Sequence, residues 1–170
     1  MEFKKAHLLL LFLLGVFHST LFAQTRYLVK TVAVTIPTVL DLQINSGANP
    51  VVDFNVTSKI DNGIELIAAT TMTYRSNKAW FVTIKSGSAD FTGGVAGTPM
   101  PASVIKYRLN GFAAQYSPLS NIDQPLVAST GSKYLRGTGS GSIDFQINPG
   151  YNYPPAQNYS LQIIYTISNL

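Results

Sequence analysis

Short stretches in which every second residue is apolar recur along the whole of this 170-residue chain. This spacing is typical of half-buried β-strands, and no segment shows the spacing of an amphipathic helix. Turns rich in glycine, proline and asparagine separate the stretches. We therefore expect one all-β domain, an immunoglobulin-like antiparallel β-sandwich. The predicted strands are residues 38–44, 51–56, 64–75, 79–85, 103–109, 125–130, 142–147 and 159–168.

The stretch over residues 24–44 consists of two extended pieces that meet at Pro37. In the first piece, alternate positions place an apolar row on one face of the predicted strand. If this piece pairs with its own domain, the protein is a secreted β-sandwich whose function the pattern does not indicate. If it pairs with a neighbouring copy, the protein is a polymer subunit. The row consists of Leu28, Val32, Val34 and Ile36.

Residues 1–23 have the three parts of an export signal. Lys4 and Lys5 supply the positive end, residues 8–17 the apolar run, and Ala23 the small residue before the cut. Because the run is too short for a transmembrane helix, we expect removal of the signal rather than a retained membrane anchor. The mature protein is then secreted and extracellular, with no membrane insertion. The predicted organisation is a signal peptide at 1–23, an N-terminal strand at 24–36 and a sandwich domain at 37–170.

The composition excludes several kinds of active site. Both histidines, His7 and His18, lie in the predicted signal, and the chain contains no cysteine. Catalysis with a histidine base, the usual zinc and copper sites, and disulfides are therefore excluded from the mature chain. No two acidic residues are spaced as a catalytic pair, and Asp53 and Asp144 fall on outward rows where we expect solvated side chains. We expect no enzyme activity, no cofactor and no metal site, although a calcium site built from loop carbonyls stays open.

The charge and glycine patterns also argue against phosphate or nucleic-acid ligands. The net charge of +4 is small, and the basic residues are scattered, so we expect no nucleic-acid partner. Residues 137–141 contain three glycines, but no Lys-Ser or Lys-Thr pair follows them as it would in a phosphate-binding loop. We interpret this segment as a flexible turn.

Aromatic residues provide the remaining candidates for binding. Trp80 lies in a predicted hairpin formed by strands 64–75 and 79–85, where we interpret it as a core anchor rather than a platform for a ligand. Tyr151 and Tyr153 lie in a proline-bearing loop near the end of the chain. Their rings could form a surface for binding a sugar or a protein, or they could pack over the end of the sandwich.

Two terminal segments resemble subunits of the alternate, colonisation-factor type chaperone-usher pili. The first is residues 30–42, Lys-Thr-Val-Ala-Val-Thr-Ile-Pro-Thr-Val-Leu-Asp-Leu, and the second is the apolar alternation of residues 159–168. The resemblance implies a fimbrial subunit on the bacterial cell surface, which reaches it through the periplasm. It implies that the N-terminal row inserts into the next copy by strand exchange. The implied partners are further copies of this chain, a periplasmic chaperone and an outer-membrane usher.

A second resemblance is to WxL-type surface domains. There too a tryptophan-containing strand similar to residues 78–84 precedes a loop with a residue like Phe91, and the domain end is similar to residues 159–170. This resemblance implies a cell-surface binding module, WxL- or lectin-like, that recognises glycan, cell wall or protein. The two hypotheses differ most clearly in the path of residues 26–36.

Overall fold

The computed structural model describes residues 28–47, 50–110, 115–127, 137–156 and 158–169. The predicted signal and residues 24–27 lie outside the described residues. The chain divides into two units, residues 1–36 and residues 37–170. The elements described in the second unit are β1 (Leu40–Ser46), α1 (Thr57–Asn62), β2 (Ile64–Ser76), β3 (Trp80–Ser86), a 3₁₀ turn (Ala102–Val104), β4 (Ile105–Leu109), β5 (Ser117–Pro118), β6 (Gln124–Val127), β7 (Gly137–Ile147) and β8 (Ile163–Asn169).

The strands form two sheets. The larger has the order β1-β2-β7-β4-β5, and the smaller has the order β6-β3-β8. The described neighbours pair antiparallel. Buried residues of both sheets belong to a single apolar cluster, so the two sheets enclose one core. The prediction of an all-β antiparallel sandwich is confirmed.

The core follows directly from the alternation along the strands. In β2, Met72 and Tyr74 are buried while Thr73 between them is exposed. Burying one large apolar side chain stabilises a fold by about 1.5–3 kcal/mol, so these inward rows contribute most of the favourable free energy. The core members are Met72, Tyr74, Trp80, Val82, Ile84, Ile105, Tyr107, Leu109, Leu119, Val127, Ile143 and Phe145.

The predicted strand at residues 51–56 is wrong. Val52 and Phe54 are half buried, as the alternation suggested, but within the described residues this segment has no strand partner. Its polar groups bind α1 instead, since the Lys59 ammonium donates to the Asp53 carbonyl at 3.0 Å and to Asn55 Oδ1 at 2.9 Å. Helix α1, at six residues, is too short to show a helical period in the sequence.

The predicted hairpin around Trp80 is also wrong, although both of its strands exist. β2 and β3 belong to different sheets, so the connection at residues 77–79 crosses the sandwich. The reason is that β2 is paired along one edge with β1 and along the other with β7. β3 therefore has no free edge of β2 to pair with.

The glycine-rich segment 137–141 is a strand rather than a flexible turn. It forms the first half of β7 and pairs with β2, from Ser76 opposite Gly137 to Met72 opposite Gly141. Gly139 is required because the ring of Tyr74 covers its backbone, and a Cβ there would lie 2.3 Å from Tyr74 Cε2. The Tyr74 hydroxyl then donates to the Ser140 carbonyl at 3.0 Å.

Candidate functional site

The outer edge of β8 is one of four strand edges that lack a neighbour within the described part of the chain, and the other three belong to β1, β5 and β6. β8 pairs with β3 along its whole length, from Asn169 opposite Trp80 to Ile163 opposite Ser86. Its other edge faces no described strand. The backbone N–H and C=O groups along such an edge can pair with a strand supplied from elsewhere.

The immunoglobulin frame shows which position this edge occupies. In a seven-stranded sandwich of that type, one sheet has the order A-B-E-D and the other C-F-G. When the short strands β5 and β6 are set aside, β1-β2-β7-β4 corresponds to A-B-E-D and β3-β8 to C-F. The described residues contain no strand at the G position, which lies beside β8. Among the described strands, the free edge of β8 is therefore an unfilled G position.

An apolar row that is only partly buried lies along this position. β1, one of the two edge strands of the larger sheet, lies near β8 of the smaller sheet. Their inward side chains pack against the core but keep some exposure to solvent. Covering that exposed apolar surface would be favourable by about 25 cal/mol per Å². We call the following residues the open-edge row: Leu40, Leu42, Ile163, Tyr165 and Ile167.

Tyr165 lies between Ile163 and Ile167 in the open-edge row. Burial raises the pKa of its phenol, and a hydrogen bond with the side chain of Thr70 acts in the opposite direction. Thr70 is itself buried in β2 of the opposite sheet. This interaction connects β8 with the larger sheet across the interior.

The structure leaves the predicted strand-exchange residues unpaired and exposed. Residues 28–36 form no strand, and none of the described strand pairs includes a residue before Leu40. A row of large apolar side chains with this exposure is unusual on a protein surface unless a partner covers it. The exposed fractions are 98% for Leu28, 71% for Val32, 76% for Val34 and 77% for Ile36.

The structure separates the predicted aromatic candidates. Tyr151 is exposed, and its hydroxyl donates to the Asp61 carboxylate at the end of α1 at 2.8 Å, a bond that raises the pKa of the phenol. Tyr153 is half buried. Trp80, at 2% exposure, lies in the core with its ring centroid 4.4 Å from that of Tyr74. Its ring offers no surface to a ligand.

A buried carboxylate in β7 is the polar feature that the sequence did not predict. Asp144 is 1% exposed, not solvated. It accepts hydrogen bonds from the Ala68 N–H at 2.8 Å, from Asn110 Nδ2 at 2.9 Å and from Arg108 Nε at 2.9 Å. Burial by itself raises the pKa of this carboxyl, but these three donors and the charge of Arg108 outweigh burial and hold the pKa below its ordinary value.

Arg108 connects this carboxylate to the surface. Its Nη2 lies 3.4 Å from the Glu65 carboxylate, and its guanidinium lies 4.4 Å from the centre of the Tyr116 ring. The Tyr116 hydroxyl donates to Glu65. Burial, followed by this bond, raises the pKa of Tyr116 to about 12. Each charge in the cluster has an opposite partner, which is the arrangement of a stabilising network.

The Asp144 network holds an irregularity in β2. Leu66 pairs with Phe145 and Thr70 with Ile143, so three residues of β2 bulge opposite Asp144 alone. At the centre of this bulge Ala68 has a φ of 49°, which is uncommon for a residue other than glycine. The signal in the sequence was an acid between two core residues of a strand, but its donors come from distant segments.

Within the described residues, no group of three or more acidic, histidine or cysteine side chains is arranged to hold a metal ion. No helix there is long and apolar enough to span a membrane.

No protein-family model matches the chain, and no curated protein is similar to it at a significant level. Among solved structures, the chain is similar to one of a chaperone-usher pilus. The two are 10% identical, the match covers 88% of this chain and 97% of the other, and the TM-score is 0.41.

Proposed function

We propose that this protein is a structural subunit of a polymer whose copies are joined by exchange of a β-strand. One observation carries the proposal. The same chain has an exposed apolar row without a strand partner, at Val32, Val34 and Ile36, and a sandwich in which the strand position beside β8 is empty among the described residues. An exposed apolar row and an unpaired strand edge are each unfavourable by themselves. The row can supply the strand that the edge lacks, and the edge can supply the partner that the row lacks.

In this proposal, residues 28–36 of one copy add to the free edge of β8 in the next copy. Backbone hydrogen bonds supply affinity, as in other cases of strand addition. The alternating side chains enter the open-edge row, and because their period is two, a shift by one residue would turn them to solvent. The register is therefore specified.

The contact joins two different surfaces of the same protein. Such head-to-tail contacts do not close unless a rotation happens to form a ring, so they generate filaments. We further propose that this polymer is a secreted bacterial fimbria on the cell surface. A periplasmic chaperone would cover the open-edge row before assembly, an outer-membrane usher would mediate export, and the protein would have no catalytic activity.

A pair of neighbouring substitutions tests the proposal. Val34→Asp places a charge in the row that would enter the next copy, and burying an unpaired carboxylate costs several kcal/mol. Thr35→Asp adds the same charge one position later, where a strand would present it to solvent. In light scattering of the full chain purified from a bacterial periplasm, we expect Val34→Asp to reduce polymer yield about tenfold or more and Thr35→Asp to change it little.

Both variants should retain the far-ultraviolet circular dichroism of the unchanged chain, because position 34 and position 35 are exposed. Equal polymer yields from the two variants would show that the alternation of this segment has no part in assembly. That result would reject strand exchange through Val34.

A further inference from the structure

Asn77, in the connection between β2 and β3, makes three hydrogen bonds with the chain just before β1. Its backbone N–H donates to the Val39 carbonyl at 3.3 Å. Its Nδ2 donates to the Pro37 carbonyl at 2.7 Å, and its Oδ1 accepts from the Val39 N–H at 2.9 Å. One side chain thus satisfies two backbone groups of a segment that belongs to no strand.

These bonds extend the β1–β2 pairing beyond its last regular pair. Leu40 opposite Ser76 is the first pair of that ladder. Pro37 has no N–H, so an ordinary ladder could not continue through it. The Asn77 side chain instead takes the place of a partner strand, since its amide donates to the Pro37 carbonyl and its oxygen accepts from the Val39 N–H. The first backbone group held by Asn77 is the Pro37 carbonyl, directly after the exposed row that ends at Ile36.

We propose that Asn77 is a positioning residue that clamps the joint between successive copies of the polymer. This inference rests on the proposed strand exchange. If residues 28–36 are seated in the next copy, the chain between the two sandwiches is reduced to the segment at Pro37. Bending of the filament at each joint then requires movement of residues 37–39, which Asn77 restrains. The clamp converts a flexible tether into a stiff joint.

Asparagine suits this role because its amide supplies a donor and an acceptor at the same time. Asn77→Asp keeps the acceptor for Val39 but loses the donor to Pro37. Asn77→Ala loses both side-chain bonds and keeps the backbone bond. Lys78→Ala is the matched control, because Lys78 lies in the same connection with an exposed side chain and its backbone bond to Ser76 is unaffected.

The test measures filament stiffness from electron micrographs of the full-length variants. Because the residues of the apolar row are unchanged, Asn77→Ala should form as much polymer as the unchanged chain. Its persistence length should fall about twofold or more, since a freed joint bends more easily. The persistence length of Asn77→Asp should lie between those of Asn77→Ala and the unchanged chain. The persistence length of Lys78→Ala should equal that of the unchanged chain. An unchanged persistence length in Asn77→Ala would overturn the clamp.

A second readout separates failure of the clamp from failure of the proposed polymer. Hydrogen exchange of the Val39 amide in the monomeric full chain should be roughly fivefold faster in Asn77→Ala, the factor expected for the loss of one hydrogen bond. The absence of filaments from the unchanged chain would reject the polymer. The absence of faster exchange at Val39 would reject the clamp.

Discussion

Deletion of residues 24–36 is expected to abolish polymer formation completely and to leave a folded monomer. The deletion removes the entire exposed row, so no copy can complete the next one. The fold should survive because every member of the buried core cluster, beginning with Met72, lies beyond the deleted segment. Size-exclusion chromatography with light scattering would give the mass of one subunit at all concentrations.

The deleted segment should also act when it is supplied separately. A synthetic peptide of residues 24–37 should bind the truncated domain and raise its melting temperature. Binding to the folded state alone stabilises it by about 2.7 kcal/mol at a peptide concentration 100 times Kd. The same peptide with Val34→Asp is the control and should have little effect, because its carboxylate would face the open-edge row.

Two outcomes would contradict this prediction. Polymers formed by the truncated chain would show that another surface joins the copies. A truncated chain that cannot fold would show that residues 24–36 complete their own domain.

Asp144→Ala is expected to produce the largest loss of stability among single substitutions outside the apolar core. It leaves the Ala68 N–H without its acceptor and Arg108 without its buried carboxylate. Removing one partner of a buried ion pair costs about 3–5 kcal/mol, a large part of the stability of an ordinary domain. Because Arg108 keeps some access to water, we expect about 3 kcal/mol, near the lower end of that range. Urea unfolding would measure it.

A matched substitution controls for the loss of a carboxylate. Asp123 forms an ion pair with Lys85 at 3.2 Å, and both side chains are substantially exposed. Asp123→Ala should therefore cost less than about 1 kcal/mol. The loss of stability in Asp144→Asn should lie between the losses in Asp144→Ala and Asp123→Ala, because the amide keeps one acceptor oxygen. Equal losses for Asp144→Ala and Asp123→Ala would contradict the role assigned to burial.

The pH dependence of stability follows from the lowered pKa of Asp144. A carboxyl whose pKa is lower in the folded state stabilises the fold above its unfolded pKa, about 3.9. This contribution is lost as the pH falls through the folded value. The unchanged protein should thus lose stability more steeply below about pH 4 than Asp144→Asn does. Parallel curves would show that the carboxyl has the same pKa in both states.

The sequence predicted those features that depend on neighbouring residues. The alternation of buried Met72 and Tyr74 with exposed Thr73 made β2 recognisable, because one face of the strand is in the core. The same alternation marked residues 28–36, but in the structure this segment forms no strand and its apolar side chains are exposed. The free edge of β8 could not be recognised in the sequence, since a strand has the same pattern whether one or both of its edges are paired.

Features that depend on distant partners escaped prediction. The three-residue connection after Ser76 would suit a hairpin, and the pairing of β2 with β1 and β7 is what prevents it. Gly139 reads as a turn residue until the ring of Tyr74 covers it. Asp144 is bonded to a backbone group 76 residues earlier in the chain, and no local pattern specifies such a contact.

The most direct test of strand exchange is a disulfide between two copies. The chain contains no cysteine, so introduced thiols have no competitors. A copy with Val34→Cys would be mixed, under mild oxidation, with copies carrying a single cysteine at position 163, 165 or 167 of the open-edge row. A disulfide requires Cβ atoms about 4 Å apart, so the bond reports the register. We predict a covalent link between the two different variants at one of the three positions. Absence of that link at all three positions would contradict assembly by strand exchange. So would a disulfide that forms only within one chain, in a variant that carries Val34→Cys together with one of the other three cysteines.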